Sequence, residues 1–295
     1  MSNPPHNSHT DALVSTAWLA EHLKSPDIRV VDASWYMPGT AADARAEYRA
    51  RHIPGAVYFD IDAIADTANH LPHMLPSPEI FAAEVGRLGL GAGIRIVVYA
   101  GQSLMSAARV WWMFRVFGHE DVGVLDGGLT RWLAEGRPVD DEPPAPRSRA
   151  FSPRFNGLRV RDAAQILANI ATDREQIVDV RARPRFEGTV AEPWPGRRMG
   201  HIPGAFNLPY ADLVDASGTA LRTPDQIAPL VAATGLRPVR PVVASCGSGV
   251  TACVAALALH VLGWNDVAVY DGSWAEWGLR DDLPIEQGPS RRVKE

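Results

Sequence analysis

Apolar positions along this chain follow two alternating patterns. Short runs such as Ile94 to Tyr99 and Val242 to Ser245, bounded by Gly, Pro, Asp or Cys, read as buried strands. Longer stretches, among them Pro78 to Leu88, Pro224 to Thr234 and Ala252 to Leu262, read as helices. Strand and helix alternate through the whole chain, which predicts βαβ units and an α/β fold, with parallel sheets covered by helices on both faces.

The pattern occurs twice. Val30-Val31-Asp32, His52-Ile53-Pro54-Gly55-Ala56, the strand ending at Tyr99, and Val124-Leu125-Asp126-Gly127-Gly128 with Trp132 appear in that order in the first half. Ile177-Val178-Asp179, His201-Ile202-Pro203-Gly204-Ala205, the strand ending at Ser245, and Val269-Tyr270-Asp271-Gly272-Ser273 with Trp277 repeat it in the second. Matched landmarks lie 145 to 149 residues apart, a domain-sized repeat rather than a solenoid one. The expected organisation is therefore a domain over residues 11–139, a linker over 140–156 containing Pro143-Pro144-Ala145-Pro146, and a homologous domain over 157–287.

Composition narrows the function classes. The 295 residues are 46% apolar, enough for two sizeable cores. The formal net charge is −5 and the basic residues are scattered, so neither nucleic acid nor an anionic membrane is an expected partner. Apolar runs such as Ala252 to Leu262 stop short of the roughly 18 residues that cross a bilayer. Met1 to Thr10 carries no Lys or Arg and fits neither a secretory signal nor a transit peptide, which points to the cytoplasm. Two cysteines, Cys246 and Cys253, make reactivity rather than cross-linking the question.

Chemistry is expected at Cys246-Gly247-Ser248-Gly249-Val250-Thr251, between a buried strand and a helix. In a parallel sheet that is the carboxyl end of the strands, where ligands bind. Two glycines and small hydroxyl residues let successive N–H groups converge, and the helix N-terminus adds about half a positive charge, which favours a thiolate. Cys253 falls mid-helix among Ala, Val and Leu and reads as core. A phosphate-gripping C-x5-R loop is poorly supported because the sixth residue after Cys246 is Ala252, which leaves phosphatase or arsenate-reductase chemistry a distant third reading. Asp32, Asp179, Asp126 and Asp271 recur in both halves and read as strand-end residues satisfying nearby backbone N–H groups, and the recurring His52 and His201 as structural.

These residues resemble the tandem-domain rhodanese family, in particular its 3-mercaptopyruvate sulfurtransferases. The resemblance rests on the Cys246 loop, Asp271-Gly272-Ser273-Trp274, both His-Ile-Pro-Gly-Ala segments and Arg109-Val110-Trp111-Trp112-Met113-Phe114-Arg115, and it spans roughly residues 13 to 285. It implies a persulfide on Cys246, a first domain that shapes the cleft without chemistry of its own, and no metal or cofactor. The first half agrees in having Ala100 in Tyr99-Ala100-Gly101-Gln102-Ser103, without a thiol.

Further roles follow from the resemblance. A Ser/His/Asp relay is implied at Ser248, His73 and Asp62, which would place the site between the domains. Read from the residues alone, His73 is equally a loop histidine and Asp62 a helix cap. A carboxylate-bearing donor needs a cation, placed by the family pattern at Arg185, while Gly247, Gly249, Val250 and Thr251 would bind sulfur through their amides. A second arginine common in such proteins is replaced by Trp194 in Glu192-Pro193-Trp194, leaving Arg197 or Arg198 to reach in from the following turn. The expected reaction moves sulfur from a small-molecule donor, 3-mercaptopyruvate, to cyanide, a thiol or a thioredoxin-like acceptor. Thiosulfate as donor, or a non-catalytic persulfide relay, are the alternatives.

Overall fold

A computed structural model of the chain describes residues 12–289. Asp11, the first residue of the expected N-terminal domain, and the Met1 to Thr10 stretch lie outside the described residues.

The first half runs β1 (Leu13–Val14), α1 (Thr16–His22), β2 (Ile28–Asp32), α2 (Ala44–Ala50), β3 (Val57–Tyr58), α3 (Pro78–Arg87), β4 (Arg95–Tyr99), α4 (Leu104–Val116), β5 (Val122–Leu125) and α5 (Gly128–Ala134). The second runs β6 (Val160–Arg161), α6 (Ala163–Thr172), β7 (Gln176–Asp179), α7 (Arg183–Glu187), β8 (Phe206–Asn207), α8 (Tyr210–Leu213), α9 (Pro224–Thr234), β9 (Val242–Ser245), α10 (Ala252–Val261), β10 (Val267–Tyr270) and α11 (Ser273–Trp277). Each half forms one five-stranded sheet, in the orders β1-β5-β4-β2-β3 and β6-β10-β9-β7-β8, and every pairing within them is parallel.

Alternation along the central strands explains why both faces need cover. In β4, Ile96 and Val98 join a cluster with Phe81 of α3 and Phe114 of α4, whereas Val97 and Tyr99 face Leu19 of α1 and Trp132 of α5. In β9, Val242 and Ala244 face α10, and Val243 faces Trp274 and Trp277 of α11. Caps end these helices as the chemistry requires. Ser77 accepts from Ile80 N ahead of Pro78, and Thr223 with Gln226 forms a capping box ahead of Pro224.

The two halves share one core. Helices α4 and α10, which occupy matching positions after β4 and β9, pack against each other, and residues 252–259 of α10 are buried without exception. Their cluster joins Trp111, Phe114 and Val116 to Val254, Leu257 and Leu259. Each buried Val or Leu stabilises by about 1.5–3 kcal/mol, so the halves are fused by apolar packing rather than docked through polar surface.

Residues 141–156 contain no helix or strand, in keeping with their proline content, yet they are seated on the first half. Arg149 N donates to Gly86 O, Arg154 N to Phe117 O and Asn156 N to Val116 O. Gly86, Gly91 and Gly118 make room, since a Cβ at each would stand 2.5–2.7 Å from a carbonyl oxygen of this segment. Phe151 inserts its ring beside Phe81 and Phe114, with centroids 5.4 and 6.2 Å apart. Phe151→Ala should cost about 2 kcal/mol, read as a lower urea midpoint with unchanged slope. An unchanged midpoint would show that the segment is only a tether.

Candidate active site

The loop from Cys246 to Thr251 leaves β9 and enters α10, and its cysteine is 1% exposed. Its carbonyls are claimed from one side: Trp274 N donates to Cys246 O at 3.0 Å and Ala275 N to Gly247 O at 2.7 Å. The first turn of α11 thus turns the peptide planes so that the amides of residues 247–251 point elsewhere, and none of them donates to an acceptor among the described residues. Gly249 sits at φ +78°, and a Cβ there would lie 2.6 Å from Asp271 O. Only glycine fits that turn. Ser248 is buried in the loop, Val250 packs into the core and so offers only its backbone, and Thr251 directly precedes α10.

Ser273 adds a contact that the sequence reading missed. It occupies the position of Gly128 in the first half, and both hold a positive φ, +47° and +52°. Its hydroxyl accepts from Cys246 N at 3.1 Å, donates to Tyr270 O at 2.8 Å, and lies 4.0 Å from Cys246 Sγ. A side chain in the left-handed region costs about 1–2 kcal/mol, and here the hydroxyl's bonds at the cysteine offset it. Cys253 is core, as expected: burial pushes its thiol up to about 12, and it donates to Gly249 O at 3.2 Å.

The other half reaches this loop through one guanidinium. Arg109 of α4 is fully buried; its Nη1 donates to Asp271 Oδ1 at 2.7 Å and Gly249 O at 3.4 Å, and its Nη2 to His73 O. Burial works against its charge, and the Asp271 carboxylate together with the Cys253 sulfur more than offsets this. Asp271 Oδ2 also accepts from Leu75 N at 2.8 Å. Asp271 thus satisfies a backbone N–H, though one far away in sequence, and its carboxylate crosses to the first half to pair with Arg109 as well. Asp126, its counterpart, pairs with Arg131 of its own half. Asp32 and Asp179 do accept from nearby N–H groups, those of Ser34 and Arg181, at 2.8 and 2.9 Å.

His73 is buried at φ +60°, and its Nδ1 stands 2.6 Å from Asp62 Oδ1. Trp35 donates to Asp62 Oδ2 at 2.8 Å and meets the His73 ring edge-on at 5.0 Å. Capping falls to Asp60, which accepts from Asp62 N and Ala63 N. His52 and His201 are structural: each stacks on an aromatic ring of its own half, Tyr48 or Phe186, bonds that residue's carbonyl, and pairs through its backbone with a later residue, Asp140 or Glu286, outside the strands.

On the loop's other side, a Cβ at Gly247 would lie 3.3 Å from Arg185 Nη2 and 3.5 Å from Trp194 Cζ3, so both side chains border the residue after the cysteine. Arg185 of α7 forms a two-point pair with Glu192, Nε to Oε1 at 3.1 Å and Nη2 to Oε2 at 2.5 Å. Arg181 holds the same carboxylate at 2.9 Å and pairs with Asp179. Arg198 does not reach in: its Nη2 donates to the carbonyls of Trp277, Arg280 and Leu283, which need a donor where α11 ends. Arg197 bends back to Pro195 O at 2.9 Å.

Two outcomes test this geometry. Arg109→Met should cost about 3–5 kcal/mol in urea denaturation by stranding Asp271, and adding Asp271→Asn should recover part of that; additive losses would contradict the pairing. Asp62 is held below its ordinary value of 3.8: burial opposes the charge, and His73 and the Trp35 indole outweigh burial. A carboxyl that ionises more readily when folded stabilises fully above its unfolded value and loses this as pH falls through the folded one. The stability gap between wild type and Asp62→Asn should therefore narrow below pH about 4; a constant gap would remove the ion pair.

Comparison with known proteins follows the same lines. Residues 15–135 and 162–280 each match the rhodanese-like domain family. Human 3-mercaptopyruvate sulfurtransferase is 44% identical over 275 residues, covering 91% of this chain and 92% of that protein. Mouse thiosulfate sulfurtransferase is 45% identical over 291 residues, covering 96% and 97%. The crystal structure of SseA from Escherichia coli, described as showing the rhodanese fold of 3-mercaptopyruvate sulfotransferases, superposes with a TM-score of 0.82 at 39% identity, covering 90% of this chain and 99% of that one. With two matched domains and relatives this similar along nearly its whole length, the chain belongs to the rhodanese-like family.

Proposed function

We propose that the chain is a sulfurtransferase that moves sulfur from 3-mercaptopyruvate to a thiophilic acceptor through a Cys246 persulfide. The observation that carries this reading is the Cys246 loop, whose amides at residues 247–251 have no acceptor among the described residues just ahead of α10 while Arg185 borders Gly247. The Cys246 thiolate attacks the donor sulfur, a sulfur–sulfur bond forms, and the donor's carbon–sulfur bond breaks with its electron pair passing to the enolate of pyruvate. Ser248 with His73, the latter fixed through Nδ1 by Asp62, delivers the proton to the enolate carbon. Arg185 binds the donor carboxylate, and the amides of Gly247, Gly249, Val250 and Thr251 hold the outer sulfur. A second nucleophile, such as cyanide, a thiol or a thioredoxin-like protein, then takes that sulfur and releases the thiolate.

The units proposed for this work are residues 11–139, without chemistry of their own, a linker at 140–156, and 157–287, carrying Cys246. Ala100 at the position of Cys246 supports the division. The described residues include no helix long and apolar enough to cross a membrane. Two unpaired thiols suit a reducing compartment, and the cytoplasm is the proposed one; an Arabidopsis thaliana relative, 41% identical over 95% of this chain, is named mitochondrial.

Thiosulfate is the second reading, favoured by the mouse relative's name and by Trp194 at a position where an arginine would grip a carboxylate. Neutral Gly247 and Ser248 beside the cysteine speak against a doubly charged donor. Side-by-side turnover with cyanide as acceptor separates them. The expected result is kcat/KM for 3-mercaptopyruvate at least about tenfold above thiosulfate, with none in Cys246→Ser, and a KM for 3-mercaptopyruvate raised about 10- to 100-fold in Arg185→Ala. A preference for thiosulfate overturns the donor, and inactivity with both leaves a persulfide relay.

A further inference from the structure

The polar groups around Gly247 set an unusual charge balance. Asp179, Arg181, Glu192 and Arg185 form one connected row of two carboxylates and two guanidiniums, and the Glu192 side chain is 1% exposed. Arg185 spends its Nε–Nη2 edge on Glu192, while its Nη1 has no partner among the described residues and its side chain remains 26% exposed. Nη1 is therefore left to bind a ligand, while Nη2 of the same guanidinium borders the loop at 3.3 Å from the Cβ position of Gly247, on a residue whose charge is already matched. That suits a ligand with a single negative charge better than one with two.

Beside that guanidinium stands an aromatic ring instead of a second cation. Trp194 presents the outer edge of its six-membered ring, Cζ3 and Cη2, at 3.5 and 3.7 Å from the Cβ position of Gly247, and the side chain is only partly buried. Pro193 and Pro195 flank it, and each proline restricts the backbone around the tryptophan, so little freedom is lost when the ring is covered. In the same turn a Cβ at Gly196 would stand 4.0 Å from Leu279 Cδ1, so an apolar side chain lies near this glycine.

We infer that Trp194 selects the sulfur donor: the site accepts monoanionic donors that set their anionic group on Nη1 of Arg185 and lay an apolar, preferably planar, body on the Trp194 ring. The inference rests on the sulfurtransferase reading and adds the substrate class. An aryl thiosulfonate has this form. The Cys246 thiolate attacks its outer sulfur, the sulfur–sulfur bond of the donor breaks, and the aryl sulfinate departs with the electron pair, leaving the persulfide anion on Cys246.

Kinetics of wild type, Trp194→Ala and Trp194→Arg with benzenethiosulfonate and with thiosulfate test it. In Trp194→Ala the ratio of kcat/KM between benzenethiosulfonate and thiosulfate should fall about tenfold, carried mainly by KM. Trp194→Arg should lower the ratio further by favouring the dianion. A ratio unchanged in both variants, or a uniform loss with either donor, overturns the selection. Calorimetric binding of benzenesulfinate to Cys246→Ser, with and without Trp194→Ala, needs no turnover. If wild type turns over neither donor yet sulfinate binding weakens about tenfold without Trp194, the reaction is wrong and the subsite stands; indifferent binding removes the subsite itself.

Discussion

The site depends on a buried guanidinium that serves both halves of the chain. Arg109 comes from α4 of the first half, yet it bonds Asp271 and Gly249 O in the second and His73 O in its own. A buried charge of this kind is tolerated only when its partners are in place, so the Cys246 loop and the His73 loop are each fixed by reference to the same group. The α4–α10 packing makes that possible, because it buries Arg109 and brings both loops within reach of one side chain. Neither half by itself carries the whole arrangement.

Duplication followed by divergence explains the asymmetry. Ala100 and Cys246, Gly128 and Ser273, and Asp126 and Asp271 occupy matching places. The backbone scaffold is shared: the carbonyl of Ala100 is held by Leu129 N just as that of Cys246 is held by Trp274 N. What differs is the chemistry hung on it. The second half carries a thiol, a hydroxyl against that thiol's backbone amide, and a carboxylate directed across the interface. The first half presents Arg109 to the Cys246 loop and holds the His73–Asp62 pair beside that arginine.

Much of this was legible in the sequence, for physical reasons. Strands buried on both faces read as continuous apolar runs, and Val242 to Ser245 and Pro224 to Thr234 are found at the predicted bounds. The Cys246 loop was visible because glycine spacing and strand-to-helix position are local properties. Long-range pairing was not: nothing near Asp271 announces Leu75 N or Arg109 as its partners, although Asp271 and Arg109 each lay in a noticed motif. Arg198 misled for the same reason, since the carbonyls that occupy it belong to residues 277–283. Nor did the proline-rich composition of 140–156 reveal that Phe151 is an anchor, because composition reports the absence of regular structure, not the presence of a glycine-lined seat.

Trp194 shows where a departure from a family pattern becomes informative. In the sequence it marks a missing arginine. In the fold it borders the residue after the cysteine, next to a guanidinium whose charge Glu192 already matches. The central claim, a single persulfide per chain at Cys246, is tested most directly by mass spectrometry of the protein after one equivalent of 3-mercaptopyruvate without acceptor. The account predicts one added sulfur, located on Cys246 by fragmentation, with one pyruvate released for each chain. Pyruvate released without protein-bound sulfur, or sulfur found on Cys253, would contradict it.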